Sequence, residues 1–507
     1  MDFPGRQPAW LGIDVGTQSV RAAVIDADGR LLGSGSAALR SDRPGPGRHE
    51  QEPEDWWAGL GLATRTALGG PAVGFVVDGV AICSTSGTVL LTDHDGRPRT
   101  PALMYDDGRA VDQAVRVAAA ERALANRGRR RHPSSALPRL LWLLEEAAGR
   151  ADGVLHLTHC ADLLAGRLVG ARVATDASHA LKSAYDPELE AWSLDLFAAL
   201  GVPASVLPDV VAPGALLGCV GQAGSRHTGL AVGTPVLAGM TDGCAGQIAA
   251  GALDRGTWNS VLGTTLAVKG VVDEPILDPD GGVYSHRHPD GHRWLAGGAS
   301  NVGAGILTER FPGRDLAELD TAAADHEPSG AVVYPLGSAG ERFPFVRADA
   351  EPIVLGLLGD EADHYAALLQ GVAFAERLCL SRMQALGAVV DGPLRLTGGA
   401  ARSVYWCQLR ADILGRPVRR PAHPEPAVGM AILASAGGGS VTSAAARMVH
   451  ADLELEPRAD RAGRFDEAYA RLCDELRARG YVDVDAVIDV EAARGGEPAG
   501  GPSSDRT

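Results

Sequence analysis

Lysine is nearly missing from this chain. Of 47 basic residues only Lys182 and Lys269 are lysines; the rest are arginine. Against that background a retained lysine is a candidate for a task that a planar guanidinium cannot perform. Paired cysteines are missing as well: the seven, at 83, 160, 219, 244, 379, 407 and 473, are scattered, odd in number and form no CxxC. That spacing argues against a disulfide framework or a zinc site and fits reduced thiols in a cytoplasm. No signal peptide opens the chain, and no uncharged apolar run nears the length of a membrane span, so a cytoplasmic enzyme is expected. Positive net charge is lacking too. A formal charge of −16 leaves nucleic acid and anionic membranes as poor partners. An anionic ligand must then be held by local donors against the overall field. Walker loop, HExxH helix and GxSxG elbow are all absent, so a nucleotide grip here is not of the P-loop kind.

What is present is a glycine-threonine turn, once in each half. The first copy runs Ile13-Asp14-Val15-Gly16-Thr17-Gln18-Ser19-Val20-Arg21, and the second Asn259-Ser260-Val261-Leu262-Gly263-Thr264-Thr265-Leu266. Each reads as strand, tight turn, strand. Glycine lets backbone approach a phosphate closely, while N–H and hydroxyl groups donate to it. Two copies about 250 residues apart suggest two related domains gripping a nucleotide between them, and 507 residues suffice for both cores. The first ten residues read as a loose leader, and Trp10 to Leu32 as a hairpin pattern turning at Asp28-Gly29. Helical spacing marks 54–68, 111–125, 137–147, 159–168, 187–200, 362–386, 402–414 and 426–436. Arg127 to Arg131 reads as a solvated basic loop. The boundary is expected to follow the helix near Asp242, giving domains 10–247 and 248–480, with a disordered tail over 494–507.

Several segments can carry chemistry. Asp242, in Thr241-Asp242-Gly243, sits between a strand and a small-residue helix, where an acid either caps the helix or acts as a general base. The helix N-terminus is expected to keep it ionised near neutral pH. Asp14, at a strand end before a phosphate turn, suits magnesium held through water, or simply a tight turn. Thr397-Gly398-Gly399-Ala400-Ala401-Arg402-Ser403-Val404-Tyr405-Trp406 reads as strand, turn and helix; Trp406 either covers a base or fills core. Gly297-Gly298-Ala299-Ser300-Asn301-Val302-Gly303-Ala304-Gly305 admits a ligand or another backbone. His286, His288 and His292 flank a turn at Pro289-Asp290-Gly291 and are expected to face solvent rather than a metal.

The phosphate turns, Thr241-Asp242-Gly243, the GGASN stretch and TGGAARSVYW occur together in the order of the FGGY carbohydrate kinases, which this chain resembles over roughly residues 10 to 440. Ser84-Thr85-Ser86-Gly87-Thr88-Val89, residues 101–110, ALKSAYDP at 180–187, GGASN at 297–301 and Gly340-Glu341-Arg342-Phe343-Pro344 are similar to the D-ribulose kinase branch. The Met-His pair usual in xylulose kinases near Ser86-Gly87 is not found. The resemblance implies an α/β fold of two ribonuclease-H-like, actin-like ATPase domains with a cleft between them. It implies ATP and magnesium as cofactors, a small sugar as partner, and room for a homodimer. Asp242 is the implied base. Gly16, Thr17, Gln18, Gly263, Thr264 and Thr265 would surround the phosphates, and Gly399, Ala400, Ser403 and Trp406 the adenosine. Ser86, Asp14, Asp242 and Lys182 would face the sugar. Ala400 and Ser403 replace a glycine and an asparagine common in the adenosine turn, Asp106 an asparagine, and Arg139 a lysine. The implied reaction is phosphorylation of a ketopentose terminal hydroxyl, D-ribulose first. D-xylulose or another polyol is the alternative, and a nucleotide switch without sugar chemistry the distant rival.

Overall fold

The computed structural model describes residues 7–124, 135–148 and 153–482. The arginine-rich loop at 127–131 and the tail from 494 lie outside the described residues. The first sheet is built from β1 (Gln7–Val15), β2 (Ser19–Asp26), β3 (Leu31–Ala38), β4 (Phe75–Ser84), β5 (Leu216–Cys219) and β6 (Pro235–Leu237), in the order β5-β6-β4-β1-β2-β3. β1, β2 and β3 are antiparallel neighbours, while β4 runs parallel to β1 and β6 parallel to β4. The second sheet uses β7 (Trp258–Leu262), β8 (Leu266–Val272), β9 (Val283–Arg287), β10 (Trp294–Ala299), β11 (Leu394–Thr397), β12 (Val418–Pro421) and β13 (Ala451–Leu455), ordered β9-β10-β8-β7-β11-β12-β13. Its central strands repeat the plan: β7 and β8 antiparallel, β11 parallel to β7, β12 parallel to β11. The duplicated turn is therefore the visible trace of a duplicated sheet.

The central strands β1, β2, β4, β8 and β10 are buried along most of their length and read as near-continuous apolar runs, while the edge strands β3 and β13 are partly exposed. The helices needed below are α1 (Pro53–Ala67), α2 (Ala136–Ala147), α3 (Cys160–Val169), α4 (Asp242–Ala249), α5 (Glu361–Ala385), α6 (Val404–Leu414) and α7 (Pro426–Ala436). α7 is apolar all round and has no solvent face to supply. It lies against β1 so closely that a Cβ on Gly12 would stand 1.7 Å from the Ala427 carbonyl oxygen. On its other flank a Cβ on Gly429 would stand 2.0 Å from the Ala245 carbonyl of α4. α4 and α7 thus form a layer whose core joins Ile25, Ala81 and Cys83 of the first sheet to Val271 and Leu295 of the second.

Two expectations are corrected. The leader is not loose up to residue 10, since Gln7 already pairs with Phe75 and Ala9 with Asp26. The stretch 187–200 is not one helix: a strand pair, Tyr185–Asp186 with Ala191–Trp192, precedes a short helix at Leu194–Ala199. Asp186 is the reason, because its carboxylate accepts the Glu188 and Leu189 amides, and Glu190 then takes φ 51°. Such an Asx turn reverses the chain before a helix can start.

Candidate active site

Three adjacent parallel strands, β1, β4 and β6, end at one edge of the first sheet, where ligands of open α/β sheets bind. Val15 is in register with Ser84, and Ser84 bridges Thr241. Asp14, the Ser84-Thr85-Ser86 strand end and Asp242 at the start of α4 are therefore brought together by strand register, although up to 228 positions separate them along the chain. Asp14 is buried and accepts a hydrogen bond from Cys83 Sγ at 3.5 Å. Burial first, and the charge of Asp242 second, push its carboxyl up to about 7.

Asp242 occupies the first helical position after Thr241 and accepts the Gly243 N–H at 2.6 Å. The helix N-terminus is not what dominates this acid. Burial raises its carboxyl above the ordinary range, against Lys269, the Gly243 N–H, His179 and Lys182, which pull it down. His179 is a neighbour the sequence reading missed. Burial opposes its charge, but its Nδ1 lies against Asp176, which raises it to about 9. Its Nε2 is 3.0 Å from Ser84 Oγ. Asp176 in turn caps the short helix at Ala177–Ala180 by accepting the Ser178 and His179 amides, and that cap fixes where the imidazole points.

Ser86 Oγ is buried without a hydrogen-bond partner. A native hydroxyl left in that state is a natural contact for a ligand hydroxyl. The Ser86-Gly87 loop is held from beneath by buried Arg139 of α2, whose Nη1 donates to the Met104 carbonyl at 2.6 Å and Nη2 to the Gly87 carbonyl at 2.5 Å. Burial lowers this guanidinium to about 9. Lys182 is exposed over part of its surface, and its Nζ lies 5.7 Å from the centroid of the Tyr284 ring. Burial, then the charges of Arg139, Lys269 and Arg342, lower its ammonium. Asp106 is not free to face a ligand alone: Arg43 holds it at 3.3 Å and His49 Nδ1 at 2.5 Å.

In the first turn the Gly16 N–H donates to the Ser19 carbonyl at 3.0 Å. Gly16 and Thr17 are half-buried and Gln18 is exposed. Gln51 Nε2 donates to the Thr17 carbonyl at 2.6 Å and fixes that turn. In the second turn the Gly263 N–H donates to the Thr265 carbonyl at 3.1 Å, leaving Thr264 and Thr265 exposed. Gly303 and Gly305 of the small-residue stretch serve this turn by backbone approach, since a Cβ on Gly303 would stand 2.3 Å from the Thr264 carbonyl. Glu341 then lashes GGASN to the Gly340–Pro344 segment: it accepts Ser300 Oγ at 2.7 Å, the Asn301 amide at 2.7 Å and Tyr334 OH at 2.7 Å.

Val261 of β7 is in register with Thr397 of β11, so the Gly398-Gly399 turn lies beside the second phosphate turn. Gly398 has φ 87°, and a Cβ there would meet the Leu262 carbonyl at 2.4 Å; Gly399 is exposed with nothing crowding it. Ala400 is buried. Ser403 caps α6 by accepting the Trp406 amide at 2.9 Å and donates to Asp320 at 2.6 Å. Trp406 is corrected: it turns into the second core, 3% exposed, with Nε1 donating to the Leu369 carbonyl at 3.2 Å. It offers no face to a base.

The histidines are corrected in part. His286 and His288 are buried, while His292 is exposed. His286 is the one fully buried position of β9, and His288, just past its end, is held inward with Nε2 3.1 Å from the Leu253 carbonyl. Among the described residues no group of three or more His, Cys, Asp or Glu side chains can hold a metal, and no helix is long and apolar enough to cross a membrane.

Models of the FGGY family of carbohydrate kinases match the chain, the N-terminal domain over residues 9–249 and the C-terminal domain over 258–438. The chain is similar to a xylulose kinase of Escherichia coli, 27% identical over 92% of this chain and 99% of that protein. It is also similar to an apulose kinase of Pectobacterium atrosepticum, 28% identical over 84% and 89%. Its fold is like that of a xylulose kinase from Rhodospirillum rubrum, with a TM-score of 0.81, 24% identity and coverage of 93% and 99%. The two family models include both turns and every strand of the second sheet but β13. The chain belongs to the FGGY family of carbohydrate kinases and is, as such, an ATP-dependent phosphotransferase to sugars rather than a nucleotide switch.

Proposed function

We propose that this kinase transfers the γ-phosphoryl group of ATP to the terminal hydroxyl of a ketopentose, with Asp242 as general base. The observation that carries this reading is the pair of carboxylates, buried Asp14 and half-buried Asp242, at the end of β1 and the start of α4, with the unpartnered hydroxyl of Ser86 two residues past the end of β4. Burial above the usual carboxylate range brings Asp242 toward the pH at which a base works best. The substrate hydroxyl attacks phosphorus, its proton passes to Asp242, the new O–P bond forms, and the bond to the ADP oxygen breaks. Thr17 of the first turn and Thr264 and Thr265 of the second donate to phosphoryl oxygens, so most of the acceleration is positioning and electrostatics. Gly399 and Ala400 flank the nucleoside.

Asp14 fits a hydrated magnesium ion. Its carboxyl is raised partly because Asp242 repels it, and a divalent cation relieves that repulsion. When bound, magnesium shields the charge of the phosphates. Ser86 and Lys182 orient the sugar hydroxyls.

Among pentuloses, relatives named xylulose kinase favour D-xylulose as acceptor. D-ribulose is the second reading, supported by Thr85-Ser86-Gly87-Thr88, which lacks the Met-His pair. The test is ADP release from Mg-ATP with D-xylulose, D-ribulose, L-ribulose, L-xylulose, ribitol and glycerol. A kcat/KM for one pentulose at least tenfold above every polyol is expected; glycerol as the best acceptor overturns the reading.

A further inference from the structure

Lys269 is the second of the two lysines and is not among the residues assigned to sugar, phosphate or nucleoside. It projects from β8, four positions after Thr265, and is 6% exposed. Its Nζ donates to Cys244 Sγ at 3.9 Å and lies 5.6 Å from the centroid of the Tyr284 ring. Among the described residues no carboxylate forms an ion pair with it. A buried ammonium without a carboxylate against it is costly, so something nearby must offset the charge.

The geometry around it is specific. Lys269 is in register with Gly297 on β10, and Gly297 with Tyr284 on β9. The glycine between them lets the lysine stem lie across β10 toward the ring, since a Cβ on Gly297 would stand 2.9 Å from Lys269 Cγ. At the other end a Cβ on Gly243 would stand 2.6 Å from Nζ and 3.2 Å from Cε. Two glycines from separate motifs therefore clear the path that the lysine stem and its ammonium occupy. The channel ends beside Gly243, the residue following Asp242.

Resting on the assignment of Asp242 as base, we propose that Lys269 is a positioning residue whose ammonium, delivered by the second sheet to the start of α4, is the counter-charge that holds the Asp242 carboxylate ready for the substrate proton. Asp242 is tied to the first sheet through the Ser84–Thr241 bridge, while Lys269 belongs to the second. The base is thus complete only when both halves pack on α4. Lys269 is the largest charge opposing burial at Asp242, and Asp242 is among the charges that hold Lys269 protonated against burial.

The test compares Lys269→Met, which keeps length and removes charge, with Lys269→Ala, which opens the channel. Lys269→Met should keep the wild-type melting temperature to within a few degrees and the KM for ATP, yet lose kcat by about 100-fold, the usual effect of deleting one preorganised electrostatic partner. Ethylammonium should restore kcat of Lys269→Ala at least tenfold, and ethanol should not. In an Asp242→Asn background Lys269→Met should add no further loss, since the two act as one unit. A kcat of Lys269→Met within threefold of wild type overturns the inference, as does equal rescue by ethanol. If Asp242→Asn is inactive and Lys269→Met is not, this inference alone falls. If Asp242→Asn turns over within tenfold of wild type, the base assignment falls and takes the inference with it.

Discussion

Asp14→Asn should make the ligand-free protein more stable, and by an amount that depends on pH. The Asp14 carboxyl titrates near 7 in the folded chain against 3.8 for an ordinary aspartate, because burial, then Asp242, disfavour its charge. A raised acid binds its proton more tightly when folded, so it costs nothing at pH values below its unfolded pKa. The cost grows as pH rises and levels off above the folded pKa. At about 1.4 kcal/mol per unit, the wild type gives up about 1.7 kcal/mol at pH 5 and about 4 kcal/mol at pH 8 relative to an uncharged side chain. Denaturation midpoints of both proteins, measured from pH 5 to pH 8 with a chelator and no nucleotide, should diverge in favour of the variant. Sugar-dependent ADP release by the same variant should fall by about 100-fold, the loss typical of removing one electrostatic group from a transfer site. A stability difference constant across that pH range, or a variant less stable at pH 8, would refute the reasoning.

Ser86→Ala should leave the melting temperature unchanged, because its Oγ has no partner to lose. It should raise the sugar KM about fivefold, the worth of one hydrogen bond of about 1 kcal/mol; an unchanged KM removes Ser86 from the sugar site. Trp406→Ala should cost about 3–5 kcal/mol of stability as a core cavity, with Trp406→Phe recovering most of it and the KM for ATP staying within threefold. A tenfold rise in that KM at full stability would return Trp406 to the nucleotide. Gly398→Ala should destabilise by more than about 1 kcal/mol, because φ 87° and the Leu262 carbonyl both oppose a Cβ. Gly399→Ala, at an open position, should keep stability while raising the KM for ATP; equal melting temperatures for the two variants would contradict the geometry.

Much of the architecture was legible in the chain because its signals are local. Apolar strands buried on both faces, the Gly-Thr turns between them and the helical periodicities at 54–68, 362–386 and 426–436 each depend on neighbours within a few positions. The duplicated turn, read in one dimension, anticipated two sheets of the same strand plan. Local reading failed where a side chain redirected the backbone, as the Asx turn of Asp186 does in breaking a helical pattern.

The sequence by itself determined which residues had unusual chemistry: two acids beside phosphate turns, two lysines among arginines, and glycines at turns. Tertiary structure alone decided what surrounds them. Strand register brought Asp14, Ser84 and Thr241, the residue before Asp242, to one sheet edge, Asp176 charged His179, and Gly297 and Gly243 opened the path by which Lys269 reaches the base. It also turned Trp406 and His286 inward. Burial and electrostatic coupling belong to groups remote in sequence, and no periodicity along the chain encodes which of them will meet.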